Sequence, residues 1–418
     1  IRAMNPATLE LIREVPAMSA KDVLGVVEKA REAQKKWASI GISGRLRYFQ
    51  KLNDQIIANI DSIAETITID NGKTLVESVN SEIYPALDML RFCEREARSA
   101  LRSEKLSHPL FGVLGIRSSV LYEPLGVVAI IAPWNFPFAI PVTQILMALI
   151  VGNTVVFKPA ALTAVVGELI RDLFENAGFP EGVLNVIQGS GGVIGEAIMD
   201  SGVNRVAFTG SVPVGKHLMK RAGETLTPIT LELGGKDPFI VLEDADLERA
   251  SSGAVWGAFV NAGQVCASVE RVYVHRKIAG KFTDLVVAKT RQLRLGDGRN
   301  FSTDMGPVIS ESQILTVEEH INDAVGKGAK VLAGGKRWDG LPGYFFEPTV
   351  LVDVDHSMSC MVEETFGPTM PIMTYSDIDE AVEMANDSRF ALTASVWSRN
   401  EKRAEDICRR IVTGCATV

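Results

Sequence analysis

Between residues 126 and 233 the chain alternates short, mostly apolar runs with segments of helical length, and this pattern constrains the fold more than any other feature. Residues 126–131, 154–157, 184–187, 205–208 and 229–233 read as strands, and residues 138–150, 164–176, 192–199 and 213–221 read as the helices between them. Strands without a polar face need cover on both sides, which implies a parallel sheet packed between helices. Right-handed crossovers make this an α/β, doubly wound, Rossmann-like domain. In such a sheet ligands bind beyond the carboxyl ends of the strands. That edge is where Pro133-Trp134-Asn135, Lys158-Pro159, Thr209-Gly210-Ser211 and Gly234-Gly235 fall.

A second α/β region follows residue 235, with strands at 238–241, 271–274, 348–352, 371–375 and 392–397 and helices at 247–260, 281–293, 311–325, 378–385 and 402–411. The first third of the chain is helical. Ser19 with Asp22 has the pattern of a capping box ahead of a run ending near Trp37, and further helices are expected at 45–60, 62–69 and 81–101. Pro85 belongs in the first turn of the last of these, or at a kink. Residues 108–122 carry glycine and β-branched residues without helical period and read as extended, a projecting hairpin. The glycine- and aspartate-bearing stretches 295–300 and 334–343 read as loops.

Composition narrows the function classes. The chain has 418 residues, enough for about two or three domains with large cores. Its 43 basic and 51 acidic residues give a net charge of −8, without the basic stripe a nucleic-acid partner requires. The five cysteines, Cys93, Cys266, Cys360, Cys408 and Cys415, have no paired spacing, which points to a reducing compartment and no disulfide framework. No cysteine or histidine spacing suggests a metal. The longest apolar stretch, 138–151, is too short to span a bilayer and contains Pro141, Thr143 and Gln144, so it reads as a buried helix. The start lacks a secretory leader pattern, and both ends read as clipped. A cytoplasmic protein without membrane association is expected.

Two residues suit covalent chemistry. Glu232 ends an apolar run beside paired glycines, and Cys266 sits in a Gly-Gln-Val-Cys turn just before a strand. A thiol with a general base nearby is an arrangement for nucleophilic catalysis. A cysteine also serves as an inert core residue, and Glu-Leu-Gly-Gly also suits a strand ending in a turn; the two residues alone leave both readings open. The segment Gly210-Ser-Val-Pro-Val-Gly215 opens a helix after a strand, which suits a pyrophosphate, though it is not the G-x-G-x-x-G fingerprint. A second glycine-rich turn, residues 189–195, fits tight packing as well as phosphate contact. Lys158 at a strand end can reach a ribose or a phosphate, or be a solvated terminus. Asn135, between two prolines, can donate to an oxyanion or satisfy a turn. The five histidines share no motif and read as structural or surface residues.

Together these segments resemble the NAD(P)-dependent aldehyde dehydrogenase superfamily. The motifs that carry the resemblance are Pro133-Trp-Asn-Phe-Pro137, Lys158-Pro159, Phe208-Thr-Gly-Ser211, Glu232-Leu-Gly-Gly-Lys236, Gly263-Gln-Val-Cys266 and Glu364-Thr-Phe-Gly-Pro368, in the family's order and across nearly the whole chain. The resemblance implies a cofactor-binding domain over 1–105 and 125–236, an oligomerisation hairpin at 106–124 and a catalytic domain over 237–418 with its C-terminal end missing. It implies Cys266 as nucleophile, Glu232 as general base and Asn135 as oxyanion donor. It puts Lys158 on the adenosine ribose, Trp134, Gly210 and Ser211 along the pyrophosphate, and Glu364 with Phe366 on the nicotinamide ribose. NAD or NADP is the implied cofactor, a small aldehyde the substrate, no metal is required, and a homodimer or homotetramer is the implied assembly.

Two positions depart from the pattern. Members that prefer NAD usually carry a glutamate three residues after the lysine, where this chain has Ala161, so NADP is expected to be tolerated or preferred. The family's terminal Pro-Phe-Gly-Gly segment and final strand are absent before Val418. The alternatives are a CoA-acylating aldehyde dehydrogenase, against which Glu232 argues, and a non-catalytic cofactor-binding protein, against which Cys266, Glu232 and Asn135 argue.

Overall fold

The computed structural model describes residues 1–107 and 114–418. The chain folds as two compact units, one of Ile1–Ala3, Arg13–Asp70 and Ser78–Glu232, the other of Met4–Ile12, Asn71–Glu77 and Leu233–Val418.

The first unit is built on five parallel strands, β1 (Val127–Ile131), β2 (Thr154–Lys158), β3 (Leu184–Val186), β4 (Arg205–Thr209) and β5 (Ile229–Glu232), in the order β3-β2-β1-β4-β5. β1 and β2 are buried along their whole length, as apolar strands covered on both faces must be. Helices Ala139–Ile150, Ala164–Asn176, Gly191–Asp200 and Val212–Thr225 make the crossovers. The chain runs outward from β1 through β2 to β3, then resumes on the other side with β4 and β5. The order therefore reverses between β1 and β4, and their carboxyl ends form the crevice where such sheets bind ligands.

The helices ahead of the sheet follow the sequence pattern. Helix Ala20–Ser39 opens on a capping box in which Asp22 Oδ2 accepts the Ser19 N–H at 2.7 Å and Ser19 Oγ accepts the Asp22 N–H at 3.4 Å. Its Trp37 is buried and donates from Nε1 to the Leu149 carbonyl at 2.9 Å, tying the helix to the crossover after β1. The helix expected over 81–101 runs instead over Tyr84–Ala100, with Pro85 in its first turn, and is preceded by a π-helical turn, Ser78–Ile83. Pro85 has no N–H to offer the preceding turn, which the wider turn accommodates. Glu104–Leu106 pairs antiparallel with Ser118–Val120, and residues 108–113 of the expected extended segment lie outside the described residues.

The second unit holds seven strands, β6 (Asp237–Val241), β7 (Val269–His275), β8 (Lys330–Ala333), β9 (Thr349–Val352), β10 (Thr369–Tyr375), β11 (Thr393–Trp397) and β12 (Cys415–Thr417), in the order β8-β9-β10-β7-β6-β11-β12. β8 pairs antiparallel with β9, and the other pairings are parallel. The sequence did not suggest β8 or β12: both are short edge strands, β12 exposed throughout and β8 offering only the brief apolar run Val331–Ala333. The core gathers Phe239, Tyr273, Phe282, Val350, Met370 and Tyr375 between the sheet and helices such as Leu247–Phe259 and Glu311–Gly326. Among the described residues no helix is long and apolar enough to cross a membrane.

Candidate active site

In the first unit the candidate residues follow their strands. The turn bearing Trp134 and Asn135 leaves β1, and Asn135 is buried. Just beyond it, Glu82 Oε2 accepts the N–H groups of Phe138 and Ala139 at 3.1 and 2.7 Å. This buried carboxylate caps helix Ala139–Ile150 and so anchors the turn that carries Asn135. β2 ends at Lys158, whose buried ammonium donates to the Pro159 carbonyl at 3.0 Å. Burial without a paired carboxylate pushes Lys158 down to about 8. Ala161 is half-buried and opens a short 3-10 turn, Ala161–Thr163, leading into helix Ala164–Asn176.

β4 ends at Thr209, and the next residue, Gly210, donates its N–H to the Glu232 carbonyl at 3.0 Å. A Cβ on Gly210 would stand 2.6 Å from Phe208 Cζ, so a larger residue there would have to displace the Phe208 ring. Ser211 is exposed at the start of helix Val212–Thr225, and no side chain caps that terminus. Its first-turn N–H groups are thus available to an anion. Glu232 ends β5 with an exposed side chain. Asn135, Lys158, Gly210, Ser211 and Glu232 therefore share one edge of one sheet. The glycine-rich turn at 189–195 is a packing feature: Ser190 Oγ caps helix Gly191–Asp200 itself, and a Cβ on Gly189 would meet Ile194 at 2.5 Å.

In the second unit the candidate residues precede their strands, at the amino-terminal edge. Cys266 is partly exposed ahead of β7. Three consecutive residues before it, Asn261, Ala262 and Gly263, have φ of 52°, 54° and 73°, a left-handed run that only glycine adopts at little cost. Gln264 pins that run: it is buried, accepts the Ile309 N–H at Oε1 (2.8 Å) and donates to the Asn261 carbonyl (2.9 Å). A Cβ at Gly263 would lie 2.1 Å from the Gly367 carbonyl oxygen, so the cysteine turn and the 364–368 segment meet backbone to backbone.

The electrostatics there oppose an ionised thiol. Burial, then the Asp237 and Glu364 carboxyls, push Cys266 up to about 11. Glu364 Oε1 accepts the Gly235 N–H at 3.1 Å, and burial with the neighbouring Glu270 charge raises Glu364 to about 7. Asp237 is raised to about 7 by burial, although the Thr393 N–H and hydroxyl both donate to it. Cys266, Glu364, Asp237 and Gly234-Gly235 thus form one cluster containing two carboxyls poised near neutrality. Phe366, with φ of 51°, belongs to the same turn as Glu364.

Sequence reasoning passed over four residues, Glu82, Asp237, Lys236 and Glu270. Lys236 and Glu270 carried a signal: they are charges embedded at the mouths of apolar strands, and such residues are almost never buried unless paired. Glu82 carried none, because its partners lie 56 and 57 residues away.

Residues 1–418 match the aldehyde dehydrogenase family. A probable NADP-dependent succinate-semialdehyde dehydrogenase of Sinorhizobium fredii is 39% identical over 412 residues, 98% of this chain and 83% of that protein. The 4,4'-diapolycopene aldehyde oxidase of a Methylomonas species is 37% identical over 414 residues, 99% of this chain and 77% of its own length. Among solved structures, the NAD+ complex of aldehyde dehydrogenase from Bacillus cereus superposes with a TM-score of 0.95 at 34% identity, covering 100% of this chain and 84% of that one. The enzyme from Brucella melitensis gives 0.94 at 36% identity, covering 100% and 85%. The chain belongs to the aldehyde dehydrogenase family, and its fold is the α/β, Rossmann-like fold of that family.

Proposed function

We propose that this enzyme oxidises an aldehyde to its carboxylic acid with NAD or NADP, through a thioester on Cys266. The observation that carries the reading is the placement of Cys266: a partly exposed thiol in a strained turn, clustered with carboxyls. Strained backbone of this kind gathers at functional sites.

The first unit fits a dinucleotide. Ser211 opens an uncapped helix at the point where the strand order reverses, and Gly210 leaves room for close backbone approach. Lys158 is a buried cation that an anionic or hydroxyl partner would stabilise. Trp134, Gly210 and Ser211 would hold the pyrophosphate, Lys158 with Ala161 the adenosine ribose, and Glu364 with Phe366 the nicotinamide ribose. Residues 1–105 and 125–236 are proposed as the cofactor-binding domain and 237–418 as the catalytic domain, with Met4–Ile12, Asn71–Glu77 and the residues 233–236 belonging to the second compact unit. When bound, the oxidised nicotinamide accepts a hydride.

The remaining chemistry belongs to the chain. Cys266 Sγ, as thiolate, adds to the aldehyde carbon, and the Asn135 amide donates to the oxygen as charge develops on it. After the carbon is oxidised to a thioester, the Glu232 carboxylate takes a proton from water, whose oxygen attacks that carbon. The C–S bond breaks, the acid leaves, and the thiolate is regenerated. Burial and two carboxyls push the Cys266 thiol up to about 11, so its proton must be taken up by a base before the sulfur attacks.

The segment 106–124 mediates assembly into a homodimer or homotetramer; Leu114, Ile116, Leu121 and Tyr122 are exposed large side chains there that a second copy would cover. Light scattering gives the assembly state.

The test is the appearance of reduced-nicotinamide absorbance with NAD and with NADP over a panel of aldehydes, from charged semialdehydes to long apolar ones, in native protein and in Cys266→Ala. Turnover by the native protein and its loss in the variant are expected. Variant activity above about one per cent of native would overturn the assignment.

A further inference from the structure

Lys236 and Glu270 form an ion pair with side chains only 1% and 2% exposed, in the second unit's amino-terminal edge. A buried pair of this kind is weak as a stabiliser, since desolvating both charges offsets their attraction. What the pair does is read from where its remaining valences go. Glu270 Oε2 accepts the Thr365 N–H at 2.9 Å, and Oε1 accepts the Phe366 N–H at 3.0 Å, one backbone donor per oxygen. Lys236 Nζ also lies 3.4 Å from the Thr365 hydroxyl, which His320 Nδ1 meets at 3.0 Å, and Gln313 donates to the Thr365 carbonyl at 2.9 Å. The backbone it clamps is the one where Phe366 adopts the left-handed φ of 51°, a conformation that persists only when the surroundings over-determine it. From the other side, Gly235, the residue before Lys236, donates its N–H to Glu364. The turn 364–366 is thus held through its backbone by Glu270 and through its first side chain by Gly235.

We infer that Glu270, neutralised by Lys236, is a positioning residue that sets the 364–366 turn so that Glu364 and Phe366 grip the cofactor's nicotinamide ribose. This rests on the cofactor roles proposed above for Glu364 and Phe366. A neutral amide at 270 accepts one backbone donor where the carboxylate accepts two, and with charge assistance lost the turn relaxes.

The test compares Kd for NAD+ with Kd for ADP, which lacks the nicotinamide riboside, by titration calorimetry on the native protein, Glu270→Gln, Lys236→Met/Glu270→Gln and Glu364→Gln. The double variant leaves no lone buried charge, so it carries the test where Glu270→Gln alone fails to fold. Both Glu270 variants are expected to bind NAD+ about 5- to 50-fold more weakly, with ADP affinity within about twofold of native. A double variant that binds NAD+ as the native protein does would overturn the inference, and so would parallel loss of NAD+ and ADP binding, which marks a general structural role. Unchanged NAD+ affinity in Glu364→Gln, with weakened binding in the Glu270 variants, would remove the role proposed for Glu364 itself.

Discussion

Glu364 rests on the Gly234-Gly235 turn: its Oε1 accepts the Gly235 N–H at 3.1 Å, and a Cβ on Gly234 would stand 2.2 Å from its Oε2. The two glycines are constrained by different things. A methyl at 234 meets the end of a flexible carboxylate side chain, which can swing away. A methyl at 235 meets the Cys266 backbone carbonyl at 2.2 Å, which cannot move without displacing the turn that carries Cys266. Gly235→Ala is therefore expected to cost about 1–3 kcal/mol more stability than Gly234→Ala. Urea unfolding of the two variants measures the difference, and equal midpoints with equal slopes would contradict the contact geometry.

The Cys266 thiol should behave as an unusually weak acid before cofactor binds. Its acidity is suppressed by burial and by the Asp237 and Glu364 carboxyls, which raise it to about 11. Alkylation by iodoacetamide in cofactor-free protein should accordingly be slow at pH 7 and still be rising above pH 9. Glu364→Gln removes one negative charge, favours the thiolate, and shifts the profile toward lower pH. A profile that stays put or moves upward in Glu364→Gln would show that this carboxyl does not act on the sulfur. Rates are read by mass on the peptide containing Cys266, which keeps the other four cysteines out of the measurement.

Cofactor choice should depend on pH through Lys158. The ammonium is charged below about 8 in the cofactor-free protein and neutral above it. A 2′-phosphate favours the charged form, so the affinity for NADP relative to NAD is expected to fall as pH rises past 8. Lys158→Met should flatten that dependence and weaken NADP about ten- to a hundredfold, the worth of one charge-assisted hydrogen bond. Ala161→Glu should move the preference toward NAD, because a carboxylate accepts from ribose hydroxyls and repels the phosphate. No movement in that variant would show that position 161 does not face the ribose.

The strands and helices of the first unit were legible because short, mostly apolar runs alternate with helical segments closed by local turn signals. Helix Ala164–Asn176 falls where Gly178 and Pro180 close it, and helix Ala20–Ser39 opens at its Ser19–Asp22 box. Cys266 and Glu232 stood out because each is a reactive side chain beside glycines at a strand end. The pair Lys236 and Glu270 could not be paired from sequence, since the ion pair spans 34 residues and joins two strands only through sheet register. The strained run at Asn261 and Ala262 was hidden as well: asparagine tolerates a positive φ but alanine does not announce one, and the buried Gln264 anchor helps to hold the run. Edge strands β8 and β12, of four and three residues, escaped because each is too short to show a period.

The proposed reaction passes through a covalent acyl group on Cys266 whose release needs Glu232. It is tested most directly in Glu232→Gln, mixed rapidly with saturating aldehyde and NADP or NAD, quenched in acid and weighed intact. The account predicts one equivalent of reduced cofactor per active site, slow turnover afterwards, and a single added acyl mass that maps to the Cys266 peptide. A full burst with no adduct, or an adduct on Cys93, Cys360, Cys408 or Cys415 instead, would contradict it.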